Sequence, residues 1–173
     1  MNIFELIIWD DERQLCTFYT VQKDGAVDNE TDRFLLKYEN LPEFKESVQE
    51  LLSFVLLSIG DDHGAVDELF NRYENEVTGL PNHGRVTLGE FTFYFPSFPL
   101  RLYALKITDE IVVLFNGGEK DGATNQTSGL NLIWVEACQF AKRIMEALTS
   151  GEISIDEQHR KIIDHTGGDE IIL

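Results

Sequence analysis

Four short β-rich runs lie between residues 85 and 115, and they constrain the fold of this chain more than any other feature. The segments between them are two to four residues long and contain the turn-forming residues Gly, Pro, Ser and Asp. A crossover between parallel strands needs about a dozen residues, so connections this short join neighbouring antiparallel strands. The sequence therefore predicts an antiparallel sheet built from residues 85–88, 91–95, 100–107 and 111–115.

Amphipathic helices are predicted before and after this strand-rich region. Over residues 42–59 apolar side chains recur every three or four positions, Pro42 suits the first turn, and Gly60 stands at a C-cap position. The same spacing predicts helices over 66–77 and 130–149. The apolar stripes of these helices need a partner surface, and the sheet is the one that the sequence offers.

Shorter elements are predicted towards the two ends of the chain. Runs 3–9 and 15–21 are rich in β-formers and flank a polar segment, which predicts a β-hairpin. A short helix follows, with Asp28 or Asn29 as its N-cap. In the tail, a β-rich run precedes acidic residues that predict a short helix over 156–163.

The order of these segments predicts a single α+β domain. Its parts are an N-terminal hairpin (1–25), a helical part (28–78), an antiparallel sheet with a long helix (80–150) and a C-terminal tail (151–173). No internal repeat, low-complexity stretch or linker divides the chain. We expect an antiparallel β-sheet with the helices packed on one face.

The strong negative charge narrows the functions that the whole surface can serve. The chain has 14 Lys and Arg against 31 Asp and Glu, a net charge of −17. Residues 1–76 account for −12 of this and residues 77–173 for −5. A field of this sign repels phosphate backbones within about 8 Å of the surface at physiological salt, so broad binding of nucleic acid or anionic membrane is disfavoured. The acid serves solubility or, alternatively, a cation-binding or nucleic-acid-mimicking surface.

We expect a folded cytoplasmic protein with no membrane segment. Hydrophobic residues make up 43% of the chain and charged residues 26%, a balance typical of globular proteins. No apolar run approaches the roughly 18 residues of a transmembrane helix, and the first residues lack the basic region of a signal peptide.

The residue types that carry metal or nucleophile chemistry do not form recognisable motifs. Cys16 and Cys138 are expected to be reduced, buried residues without a metal or redox role. The four histidines lack zinc-site spacing, and the acidic clusters lack the spacing of a calcium loop. No local signature combines Ser, His and an acid as a nucleophile set. We therefore expect no metal and no cofactor.

A glycine pair after the last predicted strand has two interpretations. Gly117 and Gly118 precede Glu119 and Lys120, which superficially suggests a phosphate-binding loop. The glycine spacing fits neither of the two common phosphate-binding motifs. The favoured interpretation is a turn with positive φ, and a local anion site is the alternative.

The predicted strand 100–107 contains the best candidates for a local site. Alternation along a strand puts Arg101 and Tyr103 on one face and Lys106 on the other. Arg85, Arg101 and Lys120 are the anion-binding candidates, near one end of the sheet. The alternative is that Arg101 pairs with a nearby acid while Tyr103 packs in the core.

The order of motifs after residue 42 carries a family resemblance. Two predicted helices precede, in order, the turn Gly79-Leu80-Pro81, the strand pair around Leu88-Gly89-Glu90, the strand Arg101-Leu102-Tyr103, the apolar strand from Ile111 to Leu114, and the last long helix. In this order the chain resembles the RelE/ParE superfamily of toxins, including its HigB-like branch, over about residues 42–150.

The resemblance implies roles for individual residues. By position, Arg101 corresponds to the strand arginine of these toxins, and Lys120 to the first of their paired lysines. Asp121 stands where a second lysine is common, and Phe91-Thr92-Phe93 stands where an arginine is often found. In a toxin-type ribonuclease, Arg101 and Lys120 would neutralise the scissile phosphate, and Tyr103 or His83 would assist proton transfer.

Three functional hypotheses follow. The first is an acidic protein-interaction module with a RelE/ParE-like core, belonging to or derived from a toxin–antitoxin system and binding an antitoxin-like or other protein. The second is a ribosome-dependent, RNA-cleaving toxin. The third is an acidic mimic of nucleic acid, with the helices of residues 28–76 as its working face.

Overall fold

The computed structural model describes residues 3–120 and 130–173 and has the predicted α+β architecture. The strands are β1 (Phe4–Asp10), β2 (Thr17–Lys23), β3 (Tyr73–Glu74), β4 (Val77–Leu80), β5 (Val86–Leu88), β6 (Phe91–Phe93), β7 (Leu100–Thr108), β8 (Ile111–Glu119), β9 (Ile153–Asp156), β10 (Lys161–Asp164) and β11 (Ile171–Ile172). The α-helices are α1 (Glu30–Glu39), α2 (Lys45–Ser53) and α3 (Asn131–Ser150). Two 3₁₀-helices (Pro42–Phe44 and Asp67–Leu69) and a π-helix (Phe54–His63) complete the described elements.

Seven of the strands form one sheet in the order β11-β1-β2-β8-β7-β4-β3. Its neighbouring strands are antiparallel except β2 and β8, which are parallel. Strands β5 and β6 form a separate hairpin rather than joining this sheet. Pro96 and Pro99 lie between β6 and β7 and have no backbone N–H for a continuous ladder.

Helices cover both faces of the sheet, so the expectation that they pack on one face is wrong. Helices α1 and α2 and the π-helix bury one set of strand side chains, including Leu102 and Leu114. Helix α3 buries the alternate set, including Tyr103 and Val113. The unbroken apolar run of 111–115 is the sequence signal for this arrangement, because a strand buried on both faces carries apolar residues at every position.

The N-terminal hairpin, α1 and α3 form as predicted. Asn29 is the N-cap of α1, and its side-chain oxygen accepts a hydrogen bond from the backbone N–H of Asp32 at 2.8 Å. The cap satisfies one of the free N–H groups in the first turn of the helix.

The helix predicted over 42–59 is divided and extended. A 3₁₀ turn leads into α2, and the chain continues as a π-helix to His63. The helix ends at Gly64, which has φ +77, and not at Gly60, the predicted C-cap. Gly60 instead lies against Arg13, whose Cγ would be 2.7 Å from an added Cβ, so its lack of a side chain serves packing.

Two other predicted helices are wrong. Residues 66–77 form a 3₁₀ turn followed by the β3–β4 hairpin, with Asn75 at φ 63 in the tight turn. Residues 156–163 belong to the β9–β10 hairpin, where Arg160 has φ 53. In both segments pairing between strands outweighs a local apolar spacing that fits a helix.

The C-terminal tail completes the sheet and fastens the first hairpin. Phe4 and Leu173 exchange backbone hydrogen bonds of 2.9 and 2.8 Å. The Tyr19 hydroxyl accepts a hydrogen bond from the backbone N–H of Ile162 at 2.8 Å. Arg160 donates to the backbone oxygens of Arg13 and Gln14. The tail is therefore an integral part of the domain.

None of the helices in residues 3–120 and 130–173 has the length and apolar character needed to cross a membrane.

Candidate anion-binding site

Three cationic side chains lie near one another at the Leu100 end of β7. They are Arg72, Arg101 and Lys120, and we call them the cationic cluster. Arg101 shares this face with Tyr103, as the alternation predicts, and only 6% of its surface is exposed. A buried guanidinium needs partners for its charge and its hydrogen-bond donors.

Glu74 supplies one of these partners. Nη1 of Arg101 donates a hydrogen bond to Oε1 of Glu74 at 3.1 Å, and the same contact is an ion pair. Both side chains lie over Gly79: an added Cβ there would be 2.7 Å from Cδ of Arg101, 2.9 Å from Cδ of Arg72 and 3.0 Å from Oε2 of Glu74. Because Gly79 has no side chain, two arginines and one glutamate fit together above β4.

Arg72 is held by the backbone of the loop that follows β4. Its Nε and Nη2 each donate a 3.2 Å hydrogen bond, to the oxygens of Pro81 and Asn82 respectively. Burial and the nearby positive charge of Arg101 lower the pKa of Arg72, while Glu74 acts in the opposite direction. The loop thus fixes a second guanidinium beside Arg101.

Lys120 follows β8 and is exposed. Its backbone N–H donates to the oxygen of Pro99 at 2.9 Å. The charge of Arg101, then burial and the charge of Arg72, lower the pKa of Lys120, and Glu74 opposes them. The lowered pKa of Lys120 is thus the effect of nearby positive charge, in a chain that is strongly acidic as a whole.

Helix α3 holds Glu74 in place from above. The oxygen of its backbone carbonyl accepts hydrogen bonds from Nε1 of Trp134 at 3.0 Å and from Sγ of Cys138 at 3.7 Å. Burial raises the pKa of the Cys138 thiol to about 11, so the group is protonated and donates. Two side chains one helical turn apart therefore anchor the short strand that carries the carboxylate.

The two glycines of β8 explain how Arg101 comes so close to the neighbouring strand. Gly117 and Gly118 pair with Leu102 and Arg101, so the predicted turn with positive φ at these residues is wrong. An added Cβ at Gly117 would be 2.0 Å from the backbone oxygen of Arg101. The glycines allow close strand contact, and they do not form a phosphate-binding loop.

The other predicted site residues have different surroundings. Tyr103 is fully buried and packs in the core beneath α3. Arg85 is exposed and stacks over the ring of Tyr94 at 4.3 Å. His83 is exposed, and its backbone exchanges hydrogen bonds of 2.8 and 2.9 Å with the side chain of Asn71. His83 and Arg85 lie on the loop between Asn82, which Arg72 contacts, and the start of β5. Asp121 lies outside the described residues.

Sequence reasoning missed Arg72 and Glu74 because both fall in the segment predicted as a helix over 66–77. The run Val77–Leu80, which begins two residues after Asn75 and ends before Pro81, is the signal that could have indicated a strand and a tight turn. A hairpin there would have placed Glu74 next to β4 and within reach of β7.

Within residues 3–120 and 130–173, no group of three or more His, Cys, Asp and Glu side chains is arranged to hold a metal ion. Comparisons with protein-family models, curated proteins and solved structures found no significant match for this chain, and the resemblance to RelE/ParE toxins stays a prediction.

Proposed function

We propose that the protein binds the phosphodiester backbone of single-stranded RNA at the cationic cluster and cleaves it, as a toxin-type ribonuclease. The cluster itself is the observation that carries this proposal. Arg72, Arg101 and Lys120 lie together with Glu74 in a chain of net charge −17. A concentration of positive charge against the overall field favours a specific anionic ligand over a general electrostatic surface.

The side chains of the cluster fit the parts of a phosphodiester cleavage. Arginine and lysine stabilise the negative charge that grows on the non-bridging oxygens when a ribose 2′-hydroxyl attacks phosphorus. Glu74 is the carboxylate in contact with this group, and it would accept the hydroxyl proton. The 5′-oxygen leaves with a proton from His83 or solvent, since Tyr103 is buried. The products are a 2′,3′-cyclic phosphate and a 5′-hydroxyl.

The binding step is tested with a fluorescein-labelled oligoribonucleotide and the variant Lys120→Gln. Lys120 is exposed, so its removal leaves the fold intact. We expect weaker binding and a slope of log K against log salt that is less steep by about 0.7, the value for one phosphate contact on a single strand. Lys142→Gln is the matched control, because Lys142 is an exposed lysine on α3. Equal binding by the two variants would contradict the proposal.

The cleavage step is tested separately. Wild type and the double variant Arg101→Ala, Lys120→Ala are induced in bacterial cells, and growth and messenger RNA integrity are followed together. We expect growth arrest and RNA cleavage with the wild type only, provided that circular dichroism shows the double variant folded. Intact RNA with the wild type, in cells and in ribosome assays, would remove the ribonuclease and leave a binding site alone.

Protein interaction is a second candidate, favoured by the distribution of charge. Residues 1–76 carry −12 of the net charge, and the helices and turns there expose many of their carboxylates. An acidic surface of this kind fits a basic protein partner, and complementary charge gives specificity and speed to such an association. A role as a nucleic-acid mimic would use the same surface. We keep both as proposals independent of the RNA site.

A further inference from the structure

Strand β7 is paired along only part of its edge. Strand β4 pairs with residues Leu102 to Ala104 of β7. The hairpin turn at Asn75 lies just before β4 in the chain, and β3 on its other side pairs with β4 and not with β7. On that side of β7, residues 105–108 have no paired strand within the part of the chain that the structure describes. Free backbone N–H and C=O groups on a strand edge are a template for another strand.

A groove of about 370 Å³ lies beside this open edge. Its lining includes Leu105, Lys106 and Ile107 of β7, together with Tyr73, Glu76 and Asp67. Three strand residues span about 10 Å, so the groove has room for a short extended segment. We call it the β7-edge groove.

The charge of the groove indicates what kind of segment fits. Lys106 is the one cation among the described residues that line the groove, and it is already paired, with Asp67 at 2.5 Å and Asp109 at 2.7 Å. Glu76 is exposed at the rim. Tyr73 is 71% exposed and offers an aromatic face, which attracts cations as well as apolar groups. The surplus of carboxylates favours a basic occupant and disfavours a second copy of this acidic chain.

We propose that the β7-edge groove binds an extended, basic segment of a partner protein, which adds to the sheet as a short strand beside β7. Backbone hydrogen bonds to residues 105–108 give the affinity. Side chains at alternate positions of a strand share one face, so lysine or arginine there meets Glu76 at the rim and Asp67 in the groove. The inference rests on the second candidate function, protein interaction, and is independent of the RNA site at the other end of β7.

The probe is a synthetic seven-residue peptide that alternates lysine and valine. Two control peptides replace lysine with glutamate or carry N-methyl groups on alternate backbone nitrogens, which removes donors from one edge. Binding is followed by the amide chemical shifts of the isotope-labelled full-length protein. We expect the first peptide to shift the amides of residues 105–108 and 75–77, and both controls to fail. The proposal would be overturned if the peptide shifted other amides instead, or shifted no amide at concentrations up to about millimolar. Equal binding by either control peptide would overturn it as well.

A charge-reversal variant tests the same groove from the protein side. Glu76→Lys should weaken binding of the basic peptide by about tenfold. This is somewhat more than the effect of losing one exposed ion pair, because the new lysine also repels the peptide. Glu46→Lys makes the same change at an exposed position on α2 and should leave binding unchanged. Lys120→Gln should also leave it unchanged, which separates failure of this inference from failure of the RNA site. Equal effects of the two reversals, or self-association of the chain through residues 105–108, would overturn it.

Discussion

The replacement Gly117→Ala tests how the sheet brings Arg101 to its position. Gly117 pairs with Leu102 across the β7–β8 ladder. An added Cβ at residue 117 would be 2.0 Å from the oxygen of Arg101 and 2.9 Å from its carbonyl carbon and from Cα of Leu102. All three atoms belong to the backbone, so no side-chain rotation relieves the contact. The two strands must separate by more than an ångström for an ordinary contact distance.

The expected loss of stability follows from this separation. Overpacking in a tight core costs about 1–3 kcal/mol. Two ladder hydrogen bonds that lengthen or break add about 1 kcal/mol each. We therefore expect Gly117→Ala to lower the free energy of unfolding by about 3–5 kcal/mol, a large part of the 5–15 kcal/mol typical of a domain.

Urea unfolding followed by tryptophan fluorescence measures this loss. With a slope of about 2 kcal/mol per molar urea, the midpoint should fall by roughly 1.5–2.5 M. Gly89→Ala is the control, because Gly89 has φ +60 and an added Cβ there meets nothing within 4 Å. The control should lose only the about 1–2 kcal/mol of a left-handed alanine. If Gly117→Ala is no more destabilising than Gly89→Ala, close strand contact does not explain this glycine.

Two further predictions concern buried polar groups. Tyr19→Phe leaves the buried backbone N–H of Ile162 without its acceptor. The change should lower the free energy of unfolding, measured in urea, by about 1–3 kcal/mol. A loss below about 0.5 kcal/mol would show that this hydrogen bond does not hold the tail. Burial raises the pKa of Glu30, although Lys23 and Arg33 form ion pairs with it. The folded state therefore holds the Glu30 proton more tightly than the unfolded state does. The stabilisation that results is present below the unfolded pKa and is lost as pH rises through the folded pKa. Glu30→Gln should therefore gain stability relative to wild type as pH rises above the ordinary carboxyl pKa, measured by urea unfolding, and a difference that stays constant with pH would contradict this.

Much of the fold is predictable from the chain, because period and connection length act locally. The hairpin of β1 and β2, the β7–β8 pair and α3 follow from alternation, short turns and helical spacing. The segment 66–77 is different: its apolar spacing fits a helix, but Asn75 turns and Val77 starts a strand that pairs with distant β7. Local spacing carries no information about a partner strand more than twenty residues away.

The candidate site divides in the same way. The shared face of Arg101 and Tyr103 follows from alternation along one strand. The ion pair of Arg101 with Glu74 and the nearness of Arg72 depend on the β3–β4 hairpin and on the space over Gly79, which only the folded sheet creates. A glycine in a predicted strand signals close approach of something, but the sequence does not say what approaches.

The local sign of the charge is the property that composition predicts least. Arg101 and Lys106 stand towards opposite ends of the same strand and on opposite faces. Arg101 forms an ion pair with the carboxylate of Glu74 and has two cations nearby, whereas Lys106 forms ion pairs with two carboxylates. The first end is therefore locally positive and the second locally negative, although both belong to a chain of net charge −17. Because exposed charges are screened within about 8 Å at physiological salt, each end presents its own sign to a ligand that has docked. The net charge governs how a charged ligand approaches the protein from a distance. It therefore disfavours a surface that binds polyanions generally, but it is compatible with a single local anion site.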